Sequence, residues 1–261
     1  MSPHLHWPGP RPAAPSAVLL HGLTSSSRTW RDLGAHLSDR FEVYAPDQRG
    51  HGSGPRAPRH EYTIDDFAQD AITLVEALGL RRPLLIGHSL GGAAALTAAA
   101  ELFRQSSQAA PAALILEDPV HAMGTERQRE LAERMRQLQA LDTDGLRAEL
   151  LKAEPTLTPD QLDTRVDELR ATDGGLLAEM GCDTAERSLL PLFADVECPV
   201  LLVLADTALS RVFDDEILAQ ARPLLPAGSR AVRLEGTPHT VHRAAAQRVA
   251  REIDEFLETV F

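Results

Sequence analysis

Gly87-His88-Ser89-Leu90-Gly91 lies between a short apolar run, Leu84-Leu85-Ile86, and an alanine-rich segment of helical composition. Strand, glycine-flanked serine and helix in that order require a sharp turn that lifts the serine hydroxyl above the strand end. Glycines two before and two after the serine leave room for it. The pentapeptide alone is moderately specific, because Gly and Ser are common in loops. The strand before it and the helix after it supply the confirming context.

Similar alternation runs through the first half of the chain. Ala17–Leu20, Phe41–Ala45, Leu84–Ile86 and Ala112–Leu116 are short apolar runs, each followed by turn residues and a longer segment with helical spacing. Ile64 to Leu78 places Ile64, Phe67, Ala71, Leu74, Val75 and Leu78 on one stripe. Strands buried on both faces and joined by helices predict a mostly parallel sheet with right-handed crossovers, hence an α/β fold. Pro199–Leu204 and Ala231–Leu234 resume the strand pattern, and Val241 to Val260 reads as a final helix. From about residue 120 to 190 no strand is expected. Helical pieces at Glu126–Leu141, Thr143–Lys152, Pro159–Ala171 and Gly175–Arg187 are predicted there, broken at Pro155, Pro159 and Gly174-Gly175. The expected division is a core of residues 1–119 and 191–261 with a helical insertion at 120–190.

With 261 residues the chain can bury a full core, and its 43% hydrophobic and 25% charged content is ordinary for a globular protein. A net charge of −12 argues against nucleic acid, whose phosphates need clustered cations. Most of the excess is local: Glu117 to Glu197 holds 19 acidic against 9 basic residues, or −10. No apolar run approaches the roughly 20 residues that span a bilayer, so no membrane is expected. The first residues lack the basic start and apolar centre of a secretory signal, which makes cytoplasm the expected location. Cys182 and Cys198 are too few for a disulfide framework or a cysteine metal site.

Serine is a weak nucleophile at neutral pH and needs a base to take its proton and an acid to orient that base. His239 follows the last strand-like run within Leu234-Glu235-Gly236-Thr237-Pro238-His239, where a turn would hold an imidazole above the sheet edge. His242, three residues on, competes for the role but falls one turn into the final helix. A developing oxyanion needs backbone N–H groups aimed at it. Leu90, next to the serine, supplies one, and Leu23 in the loop Leu20-His21-Gly22-Leu23-Thr24 supplies the other. His21 reads as a brace for that loop.

His21-Gly22, Asp47-Gln48-Arg49-Gly50-His51-Gly52-Ser53 and Gly87-His88-Ser89-Leu90-Gly91, in this order, resemble an α/β-hydrolase of the esterase and lactonase group with a helical cap. The resemblance runs from about Ala17 to Phe261 and puts His239 in the family's histidine position. It implies that the Asp47–Ser53 loop is scaffold and that the helical insertion is a cap over the pocket. Two departures stand out. Only 20 residues precede His21, so one or both of the family's first antiparallel strands should be missing or shortened. The usual aspartate slot after the post-cap strand holds Ala208, in Ala205-Asp206-Thr207-Ala208-Leu209. Haloalkane dehalogenases and zearalenone-type lactonases take this acid from the strand before the cap, where Leu116-Glu117-Asp118-Pro119 lies. Glu117 is the preferred acid on spacing, with Asp118 and Asp206 as alternatives.

The resulting expectation is a serine hydrolase of an ester, lactone or related acyl compound, with no metal or organic cofactor. Its partner is a small-molecule substrate, and a homodimer is an open expectation. The acidic cap favours neutral or cationic substrates over anions. Trp30, His121, Met123 and Phe213 are pocket candidates by position. A dehalogenase or epoxide hydrolase would need aspartate in place of Ser89. Carbon–carbon bond hydrolase, thioesterase, cofactor-free haloperoxidase and hydroxynitrile lyase chemistry remain alternatives, as does a non-catalytic binding protein with the same shell.

Overall fold

The computed structural model describes residues 4–58, 60–122, 125–179 and 188–260. Its strands are β1 (His4–Trp7), β2 (Ser16–Leu20), β3 (Glu42–Pro46), β4 (Leu84–His88), β5 (Ala113–Glu117), β6 (Val200–Leu204) and β7 (Arg230–Arg233). They form one sheet in the order β1-β3-β2-β4-β5-β6-β7. Every neighbouring pair is parallel except β1 with β3, where His4 lies opposite Pro46 and Trp7 opposite Val43. The expected loss at the start of the chain is thus partial: one short antiparallel strand is present.

The helices are α1 (Arg31–Leu37), α2 (Ile64–Ala77), α3 (Leu90–Arg104), α4 (Thr125–Ala140), α5 (Thr143–Ala153), α6 (Pro159–Ala171), α7 (Gly174–Glu179), α8 (Asp215–Ala221), α9 (Val241–Ala244) and α10 (Ala246–Val260). α2 starts where its sequence signals a start: Thr63 Oγ1 accepts the Asp66 N–H, and the Asp66 carboxylate accepts the Thr63 N–H. Between β5 and β6 the described residues hold α4 to α7 and no strand. Residues 180–187, the rest of the predicted Gly175–Arg187 helix with Cys182, lie outside the described residues. Cys198 is buried, which pushes its thiol up to about 12.

β4, β5 and β6 are buried on both faces, so their side chains alternate between two cores. Leu85, Leu114, Leu116 and Leu202 pack with α2 and α3, whereas Leu84, Ile86, Ile115 and Val203 pack with α1 and α10. A third, smaller core of Leu138, Leu146, Leu150, Leu162, Val166 and Leu169 joins α4, α5 and α6. Burying such side chains contributes about 1.5–3 kcal/mol each, before the entropy of ordering the chain is subtracted.

The connections after β2 and β4 leave in opposite directions along the sheet: β3 lies on one side of β2 and β4 on the other. Their loops separate at that switch point and leave a crevice beyond the carboxyl ends of the strands. Ser89 stands at its edge. The final helix corrects the prediction of one unbroken segment. Ala245, at φ −138° and ψ 41°, separates α9 from α10, and α9 carries His242 and Arg243 toward the crevice. No helix among the described residues is long and apolar enough to cross a membrane.

Candidate active site

The turn between β4 and α3 is as tight as the glycines imply. A Cβ on Gly87 would lie 2.2 Å from the Gly91 carbonyl oxygen, and one on Gly91 would lie 2.1 Å from that of Leu20. Ser89 itself has φ 53° and ψ −115°, a region that costs about 1–3 kcal/mol for a residue with a side chain. Hydrogen bonds from Ser89 N–H to the Glu117 carbonyl and from Val120 N–H to the Ser89 carbonyl over-determine it, at 3.0 and 3.2 Å.

Ser89 Oγ lies 2.9 Å from His239 Nε2, and His239 Nδ1 lies 2.6 Å from Asp118 Oδ2. The loop that brings His239 there is tied down twice. His88 Nε2–H donates to the His239 carbonyl at 2.9 Å, and Asp206 N–H donates to the Thr237 carbonyl at 2.8 Å. Burial, reinforced by His239 and His242 beside it, drives the His88 pKa well below 6.5, which suits its part as a neutral donor. Asp118 is fully buried and also accepts Ser210 Oγ–H at 2.8 Å and Ala205 N–H at 3.3 Å.

The acid beside His239 is therefore Asp118, which corrects the preference for Glu117. Successive residues at the end of a strand face opposite ways, and the positive φ of Asp118, 40°, turns its carboxylate toward the end of β6. Glu117 faces the other side and meets His242: its Oε2 lies 2.7 Å from Nδ1, and His242 Nε2 lies 2.7 Å from Thr29 Oγ1. Asp206 is occupied as a turn cap, accepting Gly236 N–H at 2.7 Å and Ala208 N–H at 2.8 Å.

Leu90 opens α3 and Leu23 follows Gly22, and neither N–H has a hydrogen-bond partner among the described residues. Gly22 permits the close approach, since a Cβ there would sit 2.7 Å from His88 Nδ1 and 3.3 Å from Ser89 Cβ. His21 braces this loop: its Nδ1–H donates to the Gly22 carbonyl, and Nε2 accepts Gln48 N–H. The Asp47 carboxylate accepts Ser27 N–H and Ser53 N–H at 2.8 and 2.9 Å, which makes the 47–53 loop a buttress.

A cavity of about 280 Å³ opens over Ser89, walled by residues such as Leu23, Ile64, Leu131, Met135 and Val212 and, on its polar side, by Glu154, Arg165 and Arg243. Burial works against the Glu154 carboxylate, yet Arg243, Arg165 and Thr240 hold it below its ordinary range. Three pocket candidates are corrected. Trp30 packs against His242 in the core at 4.3 Å, and the His121 and Phe213 rings pack on each other at 5.9 Å; none lines this cavity. Met123 lies outside the described residues. The lining arginines went unread, although Arg165 stands on the apolar stripe of α6 between Leu162 and Leu169, where a charged residue is out of place.

The sequence profile of an alpha/beta hydrolase family matches residues 17–252. A 2-(acetamidomethylene)succinate hydrolase of Mesorhizobium japonicum is 30% identical over 94% of this chain and 89% of its own length. A crystal structure of E-2-(acetamidomethylene)succinate hydrolase superposes with a TM-score of 0.79 at 26% identity, covering 98% of this chain and 94% of that one. An enol-lactonase of Burkholderia xenovorans LB400 gives 0.78 at 22% identity over 98% and 95%.

Proposed function

This chain belongs to the alpha/beta hydrolase family, and we propose that it is a serine hydrolase cleaving an ester, lactone or related acyl bond of a small molecule. One observation carries the reading: Ser89, His239 and Asp118 are linked at 2.9 and 2.6 Å, beside two backbone N–H groups, of Leu23 and Leu90, that no described residue engages. In this reading His239 Nε2 takes the Ser89 proton as Oγ attacks the carbonyl. Asp118 holds the Nδ1–H tautomer and steadies the imidazolium. Leu23 and Leu90 N–H receive the charge on the tetrahedral oxygen. His239 then protonates the leaving group, and water, activated by the same imidazole, releases the acyl chain from Ser89. A carboxylate on His239 Nδ1, supplied by Asp118 although the usual slot holds Ala208, supports turnover over a non-catalytic binding shell.

Residues 120–190 act as the cap, since Leu131, Met135, Glu154 and Arg165 from that segment complete the cavity wall. A volume of about 280 Å³ limits the substrate to a small molecule. The relatives support an acyl substrate, as one is a hydrolase of a succinate derivative and another an enol-lactonase. A fluorophosphonate probe should label the wild type covalently and leave Ser89→Ala unlabelled. Equal labelling of the two would end the proposal.

A further inference from the structure

Arg165 and Arg243 share the polar side of the cavity with Glu154, and both arginine side chains are only about 10% exposed. Burial, and then Arg165, pull the Arg243 guanidinium below its ordinary pKa, against the help of Glu154 and Glu168. Two like charges held together in a wall need a shared anion. Glu168 serves Arg165 from behind at 2.7 Å, fixed there by Ser25 and Ser26. Among the described residues Glu154 is the one carboxylate on the cavity side between the two, 3.3 Å from Arg243 Nη2 and 3.7 Å from Arg165 Nε. Both distances are long for charge-assisted pairs, which close to about 2.7–2.9 Å. The Nε–H groups of both arginines are buried and have no hydrogen-bond partner among the described residues.

Arg243 is aimed by a relay. Its Nη1–H donates to Thr29 Oγ1 at 3.1 Å, which leaves the Thr29 proton to donate to His242 Nε2 at 2.7 Å. His242 Nδ1–H then donates to Glu117 at 2.7 Å. The chain of donors runs one way, from the cavity wall to a carboxylate at the end of β5. It fixes the guanidinium plane without closing the face toward Glu154, and it gives the second histidine–acid pair a task separate from the triad.

We propose that Arg165 and Arg243 form a subsite for a carboxylate on the substrate, that Glu154 is its resident place-holder, and that Thr29, His242 and Glu117 are positioning residues for Arg243. The substrate is then a small ester or lactone that also bears a free carboxylate. This replaces the neutral substrate expected from the net charge of the cap, because lining side chains outweigh more distant, screened charges. The bond cleaved rests on the serine hydrolase reading; the anion site does not.

The test compares monoethyl succinate with ethyl 4-methylpentanoate, its near-isosteric neutral counterpart. Arg243→Gln and Arg165→Gln should each lower the acid-to-neutral ratio of kcat/KM by about tenfold or more, as expected for a lost charged hydrogen bond. Glu154→Gln should move it the other way through a lower KM for the acid. Thr29→Val should lower the ratio by a few-fold, again in KM rather than kcat. Ratios moving the same way in Glu154→Gln and Arg243→Gln would overturn the proposal, as would a wild-type preference for the neutral ester. Should an arginine variant fail to fold, wild-type competition decides, since succinate must inhibit more strongly than succinamide. If neither ester is turned over, fluorophosphonate labelling of Ser89 decides the serine hydrolase reading separately, and calorimetry with succinate still decides the subsite: binding supports it and none refutes it.

Discussion

Asp118→Asn changes one atom in the buried acid and should nearly abolish turnover for a reason that its hydrogen bonds define. Asp118 Oδ1 accepts a backbone N–H, from Ala205, which cannot reverse; Oδ2 faces Ser210 Oγ and His239 Nδ1, which can both turn from donor to acceptor. An asparagine therefore satisfies every partner only with its oxygen toward Ala205 and its NH₂ toward Ser210 and His239. That arrangement moves the imidazole proton to Nε2, where the ring can no longer accept from Ser89. The wrong tautomer and the missing charge together correspond to a loss of about 10⁴ in kcat, near 5.5 kcal/mol of barrier. Glu117→Gln is the matched control, equally buried and one residue away, and should lower kcat by less than about tenfold because its partner is His242. Both variants would be assayed on a p-nitrophenyl ester under saturating conditions, with folding checked by circular dichroism. Retention of more than about a tenth of kcat in Asp118→Asn, or an equal loss in Glu117→Gln, would refute the assignment.

Two further outcomes follow from burial and sterics. Gly91→Ala should lower the urea midpoint by the equivalent of about 3 kcal/mol or more, because its Cβ would meet the Leu20 carbonyl at 2.1 Å; an unchanged midpoint would contradict the tight turn. His51 and His88 are held well below their ordinary 6.5 by burial, and His21 is lowered too. The unfolded chain binds these protons near pH 6.5 while the native state does not, so stability is intact above that value and falls below it. Each histidine adds up to about 1.4 kcal/mol per pH unit in that window. Urea midpoints that stay flat as pH drops through 6.5 would show that these rings are not buried and neutral.

Sterics and turns wrote the plainest signals in this chain. Ser89 could be read because only glycine fits beside it at 87 and 91, and His239 because a turn must follow the strand before it. The choice between Glu117 and Asp118 turned on a backbone angle at one residue, 40° at Asp118, which composition and spacing do not carry. Trp30 and Phe213 are large and apolar enough to demand burial, but size does not say beside which cavity, and His121 is only half-buried against Phe213. Val241–Val260 has one continuous apolar stripe, so the break at Ala245 left no mark, although it places His242 and Arg243. The arginines at 165 and 243 were legible in principle as charges on buried faces, a pattern that net charge hides.

The positive φ of Ser89 bears on how this protein is compared with its inactive forms. Any L-residue at that position inherits the strained angle, so alanine leaves the elbow and the two oxyanion donors as they are. Glycine would relax it, with more freedom both in the folded turn and in the unfolded chain. A protein silenced with glycine would differ from its parent in rigidity as well as in the missing hydroxyl, and binding constants measured on it would mix the two. Alanine is the reference state from which the contribution of Oγ alone can be read.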